Sequence, residues 1–288
     1  MSTGIFRGYD QAALDREYDN RRKVADSAAY LARCTQESAA TRDTLPCRLD
    51  IAYGPSLAET LDVFPAPGGA RAPVQVFVHG GYWWSLDKAD FSYVARAFRP
   101  AGAATVVINY ALVPTVDMDE LVRQCRAAIV WIYRNAPSFG GDSERLFVSG
   151  HSAGGHLVAM LMATDWTAFG VPPDVIKAGC GISGLYDLEP IRLCYLNETL
   201  GLSPEQARRN SPVHLSPPRA APFLLPLGGL EGPEYHRQTE ELTAVWRSHG
   251  VPCEVMDIPG IHHFSIVTQL EEPTSELSRA ILRQMGLG

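Results

Sequence analysis

The chain has 288 residues, 46% of them hydrophobic and 20% charged, and a formal net charge of −7 at pH 7. These are the proportions of a folded globular protein, and with no block of Lys or Arg they argue against nucleic acid or an anionic membrane as a partner. The opening "MSTGIFRGYDQAALDREYDNRRK" has no apolar core of signal-peptide length and no run of about 18 apolar residues follows, so a cytoplasmic location without membrane association is expected.

Residues 10–33 are charged, with apolar positions at helical spacing (Leu14, Tyr18, Val24, Ala28, Leu31), and predict one or two helices. "CRLDIAY" and "ETLDVFP" alternate as strands around the turn Gly54-Pro55-Ser56. "PVQVFVHG" (73–80) is a continuous apolar strand of the kind buried on both faces. A helix is expected over 87–98, starting after Asp87. A second buried strand, "AATVVINY" (103–110), and a long helix, 118–135, come next. "RLFVS" is a short strand leading into "VSGHSAGGH", and the apolar residues 155–163 form a buried helix. Beyond lie the strand "VIKAGCGIS", an irregular segment at 185–210, the strand "PFLLPLGG", a helix over 233–249, the strand "PCEVMDIPG" and a last helix, 274–285. Two early hairpin-like strands followed by strand–helix alternation predict an α/β fold, in one domain spanning 1–288. Its sheet is mostly parallel, with helices on both faces. Right-handed crossovers place the loops after the strands on one edge, where ligand sites sit. Residues 1–40 and 185–216 are expected to form a small helical cover over that edge.

Cysteines at 34, 47, 125, 180, 194 and 253 show no C-x-x-C pairing and read as reduced, mostly buried thiols. No His/Cys/Asp/Glu set has metal-site spacing, so neither a metal nor a cofactor is expected.

Gly150-His151-Ser152-Ala153-Gly154 is a Gly-x-Ser-x-Gly pattern between a strand and a helix. That context suits a nucleophile elbow, in which glycines two residues either side of the serine relieve crowding between strand and helix. A serine hydroxyl needs a general base and a carboxylate to orient it. In the order Ser, acid, His, the acid belongs after "PFLLPLGG" and the histidine after "PCEVMDIPG". Glu231 stands in the first slot, with Asp187, after the preceding strand, as runner-up. Glu234 reads as a first-turn helix charge. His262 and His263 share the second slot. An oxyanion needs backbone donors. One belongs to Ala153, and the others to the loop "VHGGYWW" (78–84). His79 and His156 read as structural, with His79 holding that loop.

The motifs "LDREYDNR", "LDVFP", "VFVHGGYWWSLDKADFSYVA", "INYAL", "VSGHSAGGHLVAML", "ISGLYDLEPI", "GPEYHRQTEEL" and "HHFSIV" run from residue 14 to about 267. In them the chain resembles the α/β-hydrolases of the hormone-sensitive-lipase and carboxylesterase type, and among these the arylformamidase (kynurenine formamidase) branch. The resemblance implies Ser152 as nucleophile, Glu231 as acid where the family usually has Asp, and His263, which precedes Phe264, as base. It implies oxyanion donors at Gly81, Tyr82 and Ala153, no metal, and hydrolysis of N-formyl groups on aromatic amines or of simple esters. "EYDNR" is expected to pack over the pocket.

Tyr82, Trp83, Trp84, Tyr186 and Phe264 flank these loops by sequence and predict a substrate pocket for a flat aromatic group. No Lys or Arg lies in the same flanking positions, so a strongly anionic substrate has no expected partner. Three readings compete: a formyl-type arylamide hydrolase, a carboxylesterase for small aromatic or short-chain esters, and a non-catalytic ligand-binding protein on the same fold. The expected partner is a small aromatic amide or ester, and a homodimer is the assembly to test for.

Overall fold

The structure, a computed structural model, describes residues 4–69 and 71–288. The strands are β1 (Arg48–Ala52), β2 (Thr60–Phe64), β3 (Ala72–Val78), β4 (Ala104–Ile108), β5 (Gly141–His151), β6 (Ile176–Ile182), β7 (Phe223–Gly228) and β8 (Cys253–Ile258). They form a sheet in the order β1-β2-β4-β3-β5-β6-β7-β8. β2 runs antiparallel to both β1 and β4, and β3 to β8 are parallel.

Three helices precede the sheet: α1 (Gln11–Tyr18), α2 (Asn20–Lys23) and α3 (Ser27–Thr44). Within it run α4 (Ala95–Phe98), α5 (Met118–Asn135) and α6 (Ala153–Met162). The irregular segment resolves into α7 (Glu189–Leu193), α8 (Asn197–Leu200) and α9 (Pro204–Arg209). Finally come α10 (Pro233–Ser248), α11 (Ser265–Thr268) and α12 (Glu276–Gln284). No described helix is long and apolar enough to cross a membrane.

The unbroken apolar runs of the central strands divide by parity. Val74, Val76, Val78, Ala104, Val106 and Ile108 join one core with Leu121, Ile129 and Ile132 of α5. Phe77 and Val107 join the other, with Phe98 of α4 and Leu277 and Ile281 of α12. Successive side chains point to opposite faces, so a strand covered on both sides must be apolar at every position. Each buried Val, Leu, Ile or Phe side chain among them contributes about 1.5–3 kcal/mol relative to exposure.

Three expectations differ from the structure. Residues 87–98 do not form one helix but two 3-10 turns, Lys88–Asp90 and Ser92–Val94, followed by α4. The Lys88 ammonium is drawn to the sheet edge, 2.9 Å from Asp62 and 2.6 Å from Asp50, and the chain follows it. α3 continues to Thr44, past the expected end at 33, because no Gly or Pro interrupts it. β5 begins at Gly141, before "RLFVS".

Candidate active site

The loops at the C-terminal ends of β3, β5, β7 and β8 meet at one edge. Ser152 follows β5 at φ 58°, ψ −119°, and caps α6. A β-carbon on Gly150 would lie 2.4 Å from the Gly154 carbonyl oxygen, and one on Gly154 would lie 2.0 Å from that of Val78. Only glycine lets α6 pass this close to β3 and β5, and the strained backbone presents the Ser152 side chain at the tip of the turn.

His263 Nε2 lies 3.0 Å from Ser152 Oγ, and His263 Nδ1 lies 2.8 Å from Glu231 Oε2. The other oxygen, Glu231 Oε1, accepts hydrogen bonds from the Gly228 amide (2.9 Å) and the Ser183 hydroxyl. Burial alone would push the Glu231 carboxyl up. His263, Ser183 and the Gly228 amide outweigh it and hold the group below the usual glutamate range. Asp187, the runner-up, is turned elsewhere, pairing with Arg237 at 3.0 Å. His262 does not reach Ser152. Its Nδ1 accepts from the amides of Phe264 and Ser265, and its ring meets Tyr30 edge-on. Glu234 is in the first turn of α10, buried, and accepts from Tyr18 and Arg237.

Gly81 and Tyr82 both have positive φ, and the Gly81 carbonyl accepts from the amides of Trp84 and Ser85 and from the Ser85 hydroxyl. In a trans peptide the Tyr82 N–H then points away from Ser85. Among the described residues the N–H groups of Gly81, Tyr82 and Ala153 have no protein acceptor. Gly80 lets this loop approach the elbow, since a β-carbon there would lie 2.7 Å from the His151 carbonyl oxygen. His79 bonds Gly80 and Asn109 and stacks on Tyr110, so it holds the loop. His156 accepts from Trp83 Nε1 on Nδ1 and donates from Nε2 to the Asn210 carbonyl. Burial lowers it to about 4.

A cavity of about 280 Å³ opens on Ser152 and His263, walled by Tyr82, Trp84, Phe91, Phe264 and Tyr195. Trp83 and Tyr186, expected beside the substrate, do not reach it. Trp83 is fully buried against His156, and Tyr186 turns its hydroxyl back to the Gly181 carbonyl. Proximity in sequence to a loop does not set side-chain direction. No Lys or Arg is expected among the flanking positions to partner a strongly anionic substrate; the cavity does have a cation, Arg21, which reaches it with Asp19 from the distant N-terminal segment.

As expected, "EYDNR" packs over the pocket, with Asp19, Asn20 and Arg21 lining it, and its anchors lie behind that wall. "EYDNR" locks onto "GPEYHRQ": Tyr18 donates to Glu234 (3.0 Å), Gln238 donates to Tyr18 (2.8 Å), and Glu17 accepts from the Glu234 amide (3.1 Å). Tyr235 packs its ring 4.9 Å from that of His263. His151 donates from Nε2 to the His263 carbonyl (2.8 Å), and burial, then the neighbouring His263, lower it to about 3. No group of three or more potential metal ligands occurs among the described residues.

A model of the BD-FAE family matches residues 61–170. Kynurenine formamidase of Danio rerio is 34% identical over 244 residues, covering 83% of this chain and 82% of that protein. Esterase LipC of Mycobacterium tuberculosis is 30% identical over 241 residues, 75% of this chain and 59% of that protein. A solved Silicibacter protein, described as a candidate thioesterase, superposes with a TM-score of 0.82 at 30% identity over 93% of this chain and 98% of its own. Sheet order, site edge and relatives together define an α/β-hydrolase. Within that class, the chain belongs to the kynurenine formamidase family, and it is a hydrolase.

Proposed function

We propose that the protein is a serine hydrolase that removes a small acyl group of formyl type from an aromatic amine. The observation that carries this is the hydrogen-bonded chain Ser152–His263–Glu231, at 3.0 and 2.8 Å, opening on an aromatic-walled cavity. His263 takes the Ser152 proton as the hydroxyl attacks the carbonyl, and the oxyanion forms against the amides of Gly81, Tyr82 and Ala153. His263 protonates the leaving nitrogen, and a water activated by the same imidazole releases the acid. Glu231 orients the ring and offsets its positive form. Each oxyanion donor accounts for roughly 3 kcal/mol when judged by removal. Of the expected cover, residues 1–3 lie outside the described residues; residues 4–40 and 185–216 act as the cover of a single domain. The cysteines, all free among the described residues, support a cytoplasmic setting, and light scattering tests for the homodimer.

The relatives support the amide over the ester, since kynurenine formamidase matches most of both chains. The esterase relative supports a carboxylesterase as the second reading. The test is the ratio of kcat/KM for N-formylkynurenine or formanilide to that for a short nitrophenyl ester, with Ser152→Ala as the blank. Turnover of formamide abolished in Ser152→Ala is the expected result. Ester turnover with no formamide cleavage overturns the amidase reading.

A further inference from the structure

Asn20 is 5% exposed, and its amide is fixed by its neighbours. Nδ2 lies 2.6 Å from the Tyr235 hydroxyl and 3.1 Å from the Tyr82 hydroxyl. The Tyr82 hydroxyl donates its own proton to the Tyr18 carbonyl (2.7 Å), so the Asn20 atom facing it must be a donor and is the nitrogen. The other end, Oδ1, accepts no hydrogen bond from any described residue, nor is it sealed into the core. Asn20 borders the cavity that holds Ser152. It also borders a second one of about 290 Å³ behind His263, between Lys23, Val24, Leu230, Glu231 and His262. Asn20 and His263 are the two lining residues common to both. Asn20, with its free acceptor, thus borders the same cavity as the Ser152 hydroxyl and the His263 ring.

Resting on the amidase reading above, we propose that Asn20 is a specificity-determining residue. Its Oδ1 accepts the N–H of the scissile secondary amide and so favours arylformamides over esters. Attack forms the Ser152 O–C bond, moves the carbonyl π pair onto oxygen and passes the serine proton to His263 Nε2. The nitrogen, planar in the substrate, becomes pyramidal. Its lone pair must face His263 to receive that proton, while its own hydrogen points elsewhere. An acceptor holding that hydrogen holds the lone pair in line. The C–N bond then breaks with its pair on nitrogen, the arylamine leaves neutral, and the oxyanion pair re-forms the carbonyl of the acyl-enzyme. An ester oxygen carries no hydrogen and gains nothing from Oδ1.

Asn20→Leu keeps the approximate shape and removes the acceptor. Three substrates read it: formanilide, N-methylformanilide, which has no N–H, and 4-nitrophenyl acetate. Formanilide kcat/KM is expected to fall about tenfold or more, while the other two change less than about threefold on the same hydrogen-bond scale. Thermal denaturation reports folding, and Asn20→Ala gives the same comparison should the leucine variant misfold. An equal fall on all three substrates overturns the proposal, because Asn20 then acts only by packing Tyr82 and Tyr235. Unchanged formanilide turnover overturns it too. Wild-type enzyme that cleaves the ester and no formanilide overturns the amidase reading and the acceptor role with it.

Discussion

Adjacent histidines in one loop have opposite employments. His263 bridges Ser152 and Glu231, whereas His262 accepts two backbone amides and braces the turn on Tyr30. On the proposed mechanism, His263→Ala is therefore expected to lower kcat/KM by several orders of magnitude. His262→Ala is expected to cost stability and only a modest part of the rate. Steady-state kinetics on both purified variants decides it, and the reverse ranking would assign the base to His262. Glu231→Ala should damage amide turnover more than turnover of an activated ester, since a poorly leaving amine depends on a well-aligned imidazolium. Equal losses on the two substrate types would contradict that dependence. That Ser152, Glu231 and His263 would meet was legible because each follows a strand whose apolar run is unmistakable, in a fixed chain order. Trp83 and Tyr186 were misread for a related reason, since pattern locates a loop but not the direction of a side chain within it.

At the scale of elements, the elbow exists because three backbones approach more closely than β-carbons allow. Gly154→Ala would place a methyl 2.0 Å from the Val78 carbonyl oxygen, and backbone cannot yield as a side-chain tip does. Overpacking of this kind costs typically 1–3 kcal/mol. We expect a measurable loss of Tm together with a fall in kcat, as α6 shifts and moves Ser152 with it. Gly250→Ala is the control, because it has positive φ but nothing within 4 Å, so it should lower Tm slightly and leave kcat alone. A Gly154→Ala enzyme with wild-type kcat would show that the close packing does not set the serine. Strands, and the helices that follow them, were read with little error, since burial on both faces writes a period into the chain. The break at 88–94 was not, because a buried Lys88 pairing with Asp62 is a long-range event.

Across the whole molecule, buried neutral imidazoles link folding to pH. Burial lowers His79, and lowers His151 to about 3 and His156 to about 4, against an ordinary imidazole near 6.5. Between about pH 6.5 and these values the unfolded chain binds protons that the folded chain does not. Stability from this source is complete above pH 6.5 and is lost as pH falls through the window. His151 and His156 together should remove roughly 3–4 kcal/mol between pH 7 and pH 5. Urea midpoints at the two pH values check it, and equal midpoints would mean that the rings protonate without unfolding. The cover illustrates what sequence reading cannot reach. Asn20, Tyr235 and His151 lie inside motifs that the sequence displays, but their roles are not legible there, because what makes them matter is a partner up to 215 positions away.

The interlock of "EYDNR" with "GPEYHRQ" also orders events in time. Tyr18 bonds to Gln238, 220 positions later, and Glu17 to the Glu234 amide, 217 positions later. During synthesis, α1 and α2 emerge from the ribosome long before their docking surface has been made, and Tyr82 waits with them for Tyr235. The sheet can begin to assemble strand by strand, but the wall beside His263 closes only once α10 has been translated. A nascent chain halted before residue 233 can hold a serine on its turn, yet it has neither Glu231 and His263 together nor the groups that anchor its own first helices. Competence for chemistry thus arrives late and all at once, with the last quarter of the chain.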